Sequence, residues 1–415
     1  MAIRSFLSRQ LEPYVHGVSM KGLKAGAAVM PFRWPKTFEG EQPSIAMCRF
    51  VVEKGHRSVL LVTSGTPART GLIDPLVAEL ESGGVRVTVY SKIKPDPTVE
   101  AIEAAVEVLK ANDCDGVVVL GGGSCIDAAK VIAARGRNDK SILKMAGMFR
   151  VTRGMLPLYA VPTTAGTGSE VTVAAVVTDV EGQRKLPLMD PRLMPRAAAL
   201  DGSLMLGVPP AVTAATGMDA LTHAVEAFIS KNAMKRTNVL ALEATKLIMA
   251  NIETAVADGS NLEARQAMAR ASHLAGKAFT QAGVGYVHAI AHNFGALYHV
   301  PHGRANAIVM PHVLEYSLPN CARRLARLAR EAGIGDEVIS AEQRAQLFID
   351  RIRELNRKFD IPEKLDELKA EDIPRIASAA RACEARCRNE GAARHVFVPG
   401  NELKGLPRSC TCVGD

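Results

Sequence analysis

Between Gly283 and Gly303 the chain reads Gly-Val-Gly-Tyr-Val-His-Ala-Ile-Ala-His-Asn-Phe-Gly-Ala-Leu-Tyr-His-Val-Pro-His-Gly. That stretch holds four of its ten histidines: His288, His292, His299 and His302. His288 and His292 are spaced i, i+4, so a helix would stack their imidazoles on one face, one turn apart. Pro301 should end that helix and leave His302 on a turn with Gly303. A second i, i+4 pair, Asp219 and His223, lies upstream in Gly-Met-Asp-Ala-Leu-Thr-His-Ala-Val-Glu. One carboxylate and three imidazoles make a complete ligand set for a divalent transition metal. A lone histidine in an apolar helix is ordinarily a satisfied core residue. Two ligand pairs, with a further histidine beside a Pro-Gly stop, go against that.

A second kind of chemistry is written earlier in the chain. Asp115-Gly-Val-Val-Val-Leu reads as a buried parallel strand and runs straight into Gly121-Gly122-Gly123-Ser124-Cys-Ile-Asp127-Ala-Ala-Lys, with a helix expected from Ser124. Glycines admit a close ligand, and the helix start offers unpaired N–H groups to a phosphate. Leu158-Tyr-Ala-Val-Pro is a further strand. It leads into a loop rich in hydroxyls, Thr163-Thr164-Ala-Gly-Thr167-Gly-Ser-Glu, suited to holding pyrophosphate or ribose. Residues 171–190 read as a β-hairpin turning at Glu181-Gly182, with Lys185 beyond it.

These groups need elements to hold them. Ser58-Val-Leu-Leu-Val-Thr, Val85-Arg-Val-Thr-Val-Tyr and the two strands above alternate with helical text over 71–82 and from Thr98, a candidate N-cap. That alternation predicts βαβ units and a parallel sheet. Residues 1–56 give no clear element, because Pro31, Pro35 and Pro43 interrupt them. Beyond Pro209-Pro210 the text turns to amphipathic helices over 211–229, 238–258, 262–282, the histidine segment, 321–332, 341–359 and 373–387. The expectation is an α/β Rossmann-like parallel-sheet domain over 1–207 and an all-α domain over 208–415.

Composition limits the alternatives. A length of 415 residues favours two cores over one. The net charge of +8 is spread rather than blocked, and aromatics are 4%, so neither a basic stripe nor a stacking platform for nucleic acid is in view. No apolar run reaches the roughly 18 residues needed to span a bilayer. Eight scattered cysteines suit a reducing cytoplasm. The pairs Cys383/Cys387 and Cys410/Cys412 complete no zinc-finger spacing. The first residues, with two arginines before Glu12, read as an ordinary leader.

A phosphate-binding loop in one domain and a metal site in the next point to hydride transfer between an alcohol and a nicotinamide, with the metal polarising the oxygen. The chain resembles the iron-dependent (group III) alcohol dehydrogenase family. The resemblance rests on Gly121–Asp127, Pro162–Glu170, Gly217–Glu226 and Gly283–Gly303, in that order, within a match from about His56 to Ala380. It implies a dehydroquinate synthase-like architecture and a homodimer. It also implies that Asp219, His223, His288 and His302 are the metal ligands, with His292 near the nicotinamide as a proton relay. The pyrophosphate loop would be Gly121, Gly122, Gly123 and Ser124 with Asp127. Thr163, Thr164 and Thr167 would form the second cofactor loop, and Lys185 would contact the cofactor. It favours Fe(2+), whereas affinity order alone would favour Zn(2+).

Three departures stand out: a longer leader, an unfamiliar C-terminal stretch from His395 to Asp415, and a first strand ending Val62-Thr63-Ser64 where many NAD-dependent members end Val-Thr-Asp. A carboxylate at that position repels a ribose 2′-phosphate. Ser64 does not, and Arg69 follows closely, so NADP is expected to serve at least as well as NAD. Val173-Ala174-Ala175, where relatives carry substrate-facing side chains, leaves room for a medium-chain or bulky primary alcohol or its aldehyde. Rival readings are a hydroxyacid–oxoacid transhydrogenase, a zinc glycerol dehydrogenase or a maleylacetate reductase on the same scaffold. A more distant one is a non-catalytic metal- or nucleotide-binding protein.

Overall fold

The computed structural model describes residues 33–385 except Gln183 and Glu337, and the backbone alone over 381–385. The leader, the stretch from His395, and Cys387, Cys410 and Cys412 lie outside the described residues. The chain opens with β1 (Lys36–Phe38) and α1 (Pro43–Glu53), both in text that gave no clear element. Pro43 does not break α1. It stands in its first turn, where the missing N–H is not needed. There follow β2 (Ser58–Ser64), the short α2 (Gly65–Arg69), α3 (Asp74–Ser82), β3 (Arg86–Ile93), α4 (Val99–Ala111), β4 (Gly116–Gly121) and α5 (Gly123–Arg135). Then come α6 (Ile142–Met145), β5 (Gly147–Met148), β6 (Leu158–Pro162), β7 (Ala174–Asp179), β8 (Arg184–Met189) and β9 (Ala197–Ala199). Thr98 caps α4 as its sequence suggests, accepting the Ala101 N–H at 3.2 Å.

Six strands form a parallel sheet in the order β1-β9-β6-β4-β2-β3. Alternate residues of β2 and β4 supply two different cores. Leu60, Val62, Val117 and Val119 enter one, and Val59, Leu61, Val118 and Leu120 the other. Both faces are therefore covered, which is why these strands read as unbroken apolar runs. A small second sheet, β5-β8-β7, contains the expected hairpin, with Lys185 paired to Thr178.

The second half is helical: α7 (Pro210–Ile229), α8 (Lys235–Ala257), α9 (Leu262–Ala282), α10 (Tyr286–Tyr298), α11 (His302–Glu331), α12 (Ala341–Lys358) and α13 (Ile373–Ala385). Two expectations need correcting here. Text over 321–332 belongs to α11, a 30-residue helix that runs through Pro311 and Pro319. Each proline removes one backbone hydrogen bond, and burial of Ile308, Val309, Met310, Leu314 and Leu325 in the helical core outweighs that loss. His302 accordingly opens a helix rather than sitting on a free turn. Pro301 does separate the two helices: α10 ends with His299 in the left-handed conformation, φ 55°, and Pro301 caps α11.

Candidate metal and cofactor site

Three helices bring the expected ligands together. Asp219 and His223 lie one turn apart on α7, His288 comes from α10, and His302 is the first residue of α11. One donor atom from each lies within 4.8 Å of all the others. Gly303 makes the approach of α11 feasible, since a Cβ there would sit 2.2 Å from the Ala215 carbonyl oxygen. Asp219, His223 and His288 are buried, and His302 is half-buried. Asp219 Oδ1 lies 3.4 Å from His302 Nε2 and 3.7 Å from His288 Nε2. The His223 ring stacks on those of Phe279 and His288 at 4.2 and 4.4 Å.

The donor set fits a cation because it is incomplete without one. His223 Nδ1 and His288 Nε2 are buried and have no hydrogen-bond partner, an expensive arrangement unless something binds them. Glu226 explains the second. Its carboxylate accepts from His288 Nδ1 at 2.6 Å and from the backbone N–H groups of Gly285 and Val287 at 2.8 and 2.7 Å. With Nδ1 so engaged, Nε2 is turned inward as an acceptor, the usual support for an imidazole ligand. Asn306, one turn along α11 from His302, donates from Nδ2 to Asp219 Oδ1 at 2.7 Å.

The electrostatics agree. Burial alone would raise the Asp219 carboxyl, but His223, His302 and His288 outweigh it and hold it well below the usual range. Burial brings His223 down to about 3 despite Asp219. Burial also disfavours a charged His288, yet the nearby carboxylates of Asp219 and Glu226 push it up to about 9. Protons and a cation would compete for the same imidazole nitrogens.

His292 stays outside this group. It faces open space, with its ring stacked on His302 at 5.2 Å and edge-on to His288 at 6.0 Å. Although the residue is exposed, the protein atoms around its ring, then the neighbouring His302 and His288, lower its pKa well below the ordinary value. His299 serves as the left-handed end of α10 and does not join the cluster.

The two loops meet at the C-terminal ends of β4 and β6. A Cβ on Gly121 would lie 2.6 Å from that of Cys125, and one on Gly123 2.6 Å from Thr167 Oγ1. On Gly122 it would lie 3.2 Å from Thr164 Oγ1. These glycines therefore let the two loops touch, besides any ligand they admit. The Thr163 N–H donates to the Gly121 carbonyl at 3.1 Å. On α5 both carboxylate oxygens of Asp127 are occupied, by Ser169 Oγ at 2.5 Å and the Val176 N–H at 2.9 Å. Lys185 Nζ reaches Asp96 at 2.5 Å and Thr178 at 2.9 Å, and the Asp96 N–H contacts Ser124 Oγ at 3.4 Å. Ser64 ends β2 and caps α2, with Cys125 as a side-chain partner. Arg69 folds back over Gly65 and donates to Thr66 Oγ1 at 3.3 Å. Ala175 is fully buried in the sheet core, which leaves Val173 and Ala174 as the half-exposed part of the expected pocket.

Loops and cluster are close. Gly166 packs closely on Thr216 of α7, the helix that carries Asp219 and His223, and Asp96 and Asp127 both act electrostatically on His302. A surface cavity of about 1330 Å³, lined by residues from 39–49, 75–82, 201–204 and 262–270, contains none of these residues. Residue types singled out neither Glu226, Asn306 nor Lys130. Glu226 did carry a signal, since it lies three residues after His223 on the same face of α7. Lys130 carried another, as the one charge within Ala-Ala-Lys-Val-Ile-Ala-Ala.

Known proteins resemble the chain in both halves. Residues 35–202 match the iron-containing alcohol dehydrogenase family, and residues 213–394 match the C-terminal part of the Fe-containing alcohol dehydrogenase family. A 1,3-propanediol dehydrogenase of Citrobacter freundii is 40% identical over 329 residues, 79% of this chain and 85% of that protein. A lactaldehyde reductase of Escherichia coli K12 is 34% identical over 334 residues, 80% of this chain and 87% of that protein. The crystal structure of a 1,3-propanediol oxidoreductase superposes with a TM-score of 0.85 at 36% identity, covering 89% of this chain and 98% of the other. The chain belongs to the iron-containing alcohol dehydrogenase family and is an alcohol–aldehyde oxidoreductase.

Proposed function

We propose that Asp219, His223, His288 and His302 hold one divalent metal, Fe(II) or alternatively Zn(II). The loops at Gly121–Ser124 and Thr163–Thr167, with Asp127 and Lys185, would hold NADP(H) or NAD(H). The observation that carries this reading is the pair of orphaned, buried imidazole nitrogens beside an ionised carboxylate. A bound cation supplies a Lewis acid for the alcohol or carbonyl oxygen. The chain supplies the rest. Its glycine and threonine loops fix the dinucleotide against the cluster, so that the hydride travels a short, set path. His292 faces open space one turn from His288 and moves the alcohol proton to or from water. Val173 and Ala174 leave room for a medium-chain or bulky primary alcohol or its aldehyde. We take the division between the two domains at 207/208, and a cytoplasmic homodimer as the working state. Among the described residues no helix is long and apolar enough to cross a membrane.

Ser64 offers a 2′-phosphate a hydroxyl donor in place of a repelling carboxylate, so NADP(H) should serve at least as well as NAD(H). Ser64→Asp should move the ratio of kcat/KM values towards NAD(H) by about 10–100-fold. An unchanged ratio would remove Ser64 from the ribose. The reading as a whole is tested by chelation, dialysis and add-back. Activity should require both added NAD(P) and a returned Fe(II) or Zn(II). Turnover of a hydroxyacid with an oxoacid, with no cofactor added, would instead mark a transhydrogenase.

A further inference from the structure

We infer that Lys130 is a positioning residue for the cofactor. Its ammonium fastens the segment after the threonine loop to the helix that begins in the glycine loop, and so sets the distance between the two. This rests on the reading of those loops as the dinucleotide site.

The Lys130 side chain is completely buried on α5. Its Nζ lies 3.1 Å from Ser169 Oγ, 2.8 Å from Thr172 Oγ1, 3.0 Å from the Thr172 carbonyl oxygen and 2.7 Å from that of Ala174. An ammonium has three N–H donors, so four acceptors saturate it. All four belong to residues 169–174 and none to its own helix. One turn earlier on α5, Asp127 binds Ser169 Oγ and the Val176 N–H. The Ser169 hydroxyl thus accepts from the ammonium and donates to the carboxylate. Two opposite charges grip the same segment through one shared hydroxyl.

Apolar packing alone would not require this. The neighbours of Lys130 on α5, Ala129, Val131, Ile132 and Ala133, are fully buried, and a methionine would satisfy that core. A buried charge is a poor means of stabilisation in itself. What it provides is a partner for carbonyls at the junction of the threonine loop and β7, that of Thr172 ahead of the strand and that of Ala174 at its first residue. That junction follows directly on Thr164 and Thr167, which are pressed against Gly122 and Gly123. A shift of Ser169–Ala174 relative to α5 therefore changes the spacing of the two loops directly. Burial lowers Lys130 to about 8 against the opposing pull of Asp127 and Glu170, so the cation persists at neutral pH.

The test uses metal-loaded, full-length enzyme and fluorescence titration with NADPH and NADH. Lys130→Met should raise both Kd values at least about tenfold, and Ser169→Ala about threefold. Metal content should be unchanged, and kcat should return to within about threefold of wild type at saturating cofactor. A support role confined to the core would lower the melting temperature and leave the Kd of the folded enzyme as in wild type, which overturns the proposal. Should Lys130→Met fail to fold, Ser169→Ala decides, and an unchanged Kd there overturns it as well. Gly123→Val separates the two failures. If it abolishes binding while Lys130→Met binds normally, the loops hold the cofactor and Lys130 does not set them. If all three variants bind normally, the loop reading itself falls, and this inference with it.

Discussion

The His56–Asp115 pair and the cluster of Asp219, His223, His288 and His302 both set histidine against carboxylate, and they differ in one respect. At the N-terminal ends of β2, β4 and β6, His56 Nδ1 contacts Asp115 Oδ1 at 2.7 Å and Nε2 contacts the Tyr159 hydroxyl at 2.8 Å. The Arg57 N–H donates to the second Asp115 oxygen at 2.9 Å. Both nitrogens of the ring are engaged. His273 repeats the pattern between Glu170 at 3.0 Å and Thr37 at 3.2 Å. In the cluster of Asp219, His223, His288 and His302, two buried nitrogens, His223 Nδ1 and His288 Nε2, have no hydrogen-bond partner. A nearby carboxylate is common to all three groups. On the function proposed above, the buried nitrogen without a partner separates a group that holds the fold from a group that would bind a ligand.

The largest expected effect tests that distinction directly. His288→Ala and His302→Ala should lose the metal and lower turnover by about 10³-fold or more. His56→Ala should keep metal content and kcat/KM within about threefold. It should cost about 1–3 kcal/mol of stability, because the Tyr159 hydroxyl is left buried without its partner. Loss of metal in His56→Ala, read by elemental analysis, would break the comparison.

His292 sharpens it from the other side, since it touches the cluster without completing it. His292→Ala should retain metal and lose about 10²–10⁴-fold in kcat. Loss of metal there would make it a ligand. Glu226 lies one step further out. Glu226→Gln keeps the size but not the charge, and should weaken metal affinity about 10–100-fold in a chelator competition. Unaltered affinity would mean that the His288 ring is held by packing alone.

Much of this was legible in the chain. The ligand pairs rest on helical spacing, which survives any tertiary context that keeps the helices. The strand, glycine turn and helix around Gly121 are local in sequence and fold as read. What escaped depends on distant contacts. Ala197–Ala199 has helical propensity, and only parallel pairing with β1 and β6 makes it a strand. Pro311 and Pro319 argue locally against α11, and buried packing overrules them. Lys130 and Asp127 are ordinary helix residues until residues 169–176 fold against them. His56 could not be told from a ligand by type or spacing, because its two partners are 59 and 103 residues away.

The smallest expected effect uses pH to separate the two clusters. Burial would raise the Asp115 carboxyl, but the Arg57 and Ser58 N–H groups and His56 together bring it below its ordinary value. A depressed folded-state pKa means that folding favours the charged form. Its contribution is complete above the unfolded-state value near 3.9 and is lost as the pH falls through the lower folded-state value. About a third of this side chain is exposed, so solvent screens the gain to about 1 kcal/mol or less. Acid should act on the other cluster chiefly through the proposed metal, because protons and a cation would compete for the same imidazole nitrogens. Chelated protein therefore isolates the Asp115 share. In urea unfolding, Asp115→Asn should be less stable than wild type at pH 6, and the gap should close towards pH 3. A gap that stays constant with pH would mean that Asp115 acts by hydrogen-bond geometry and not by charge. The two clusters would then differ in ligand binding but not in how each of them uses its carboxylate.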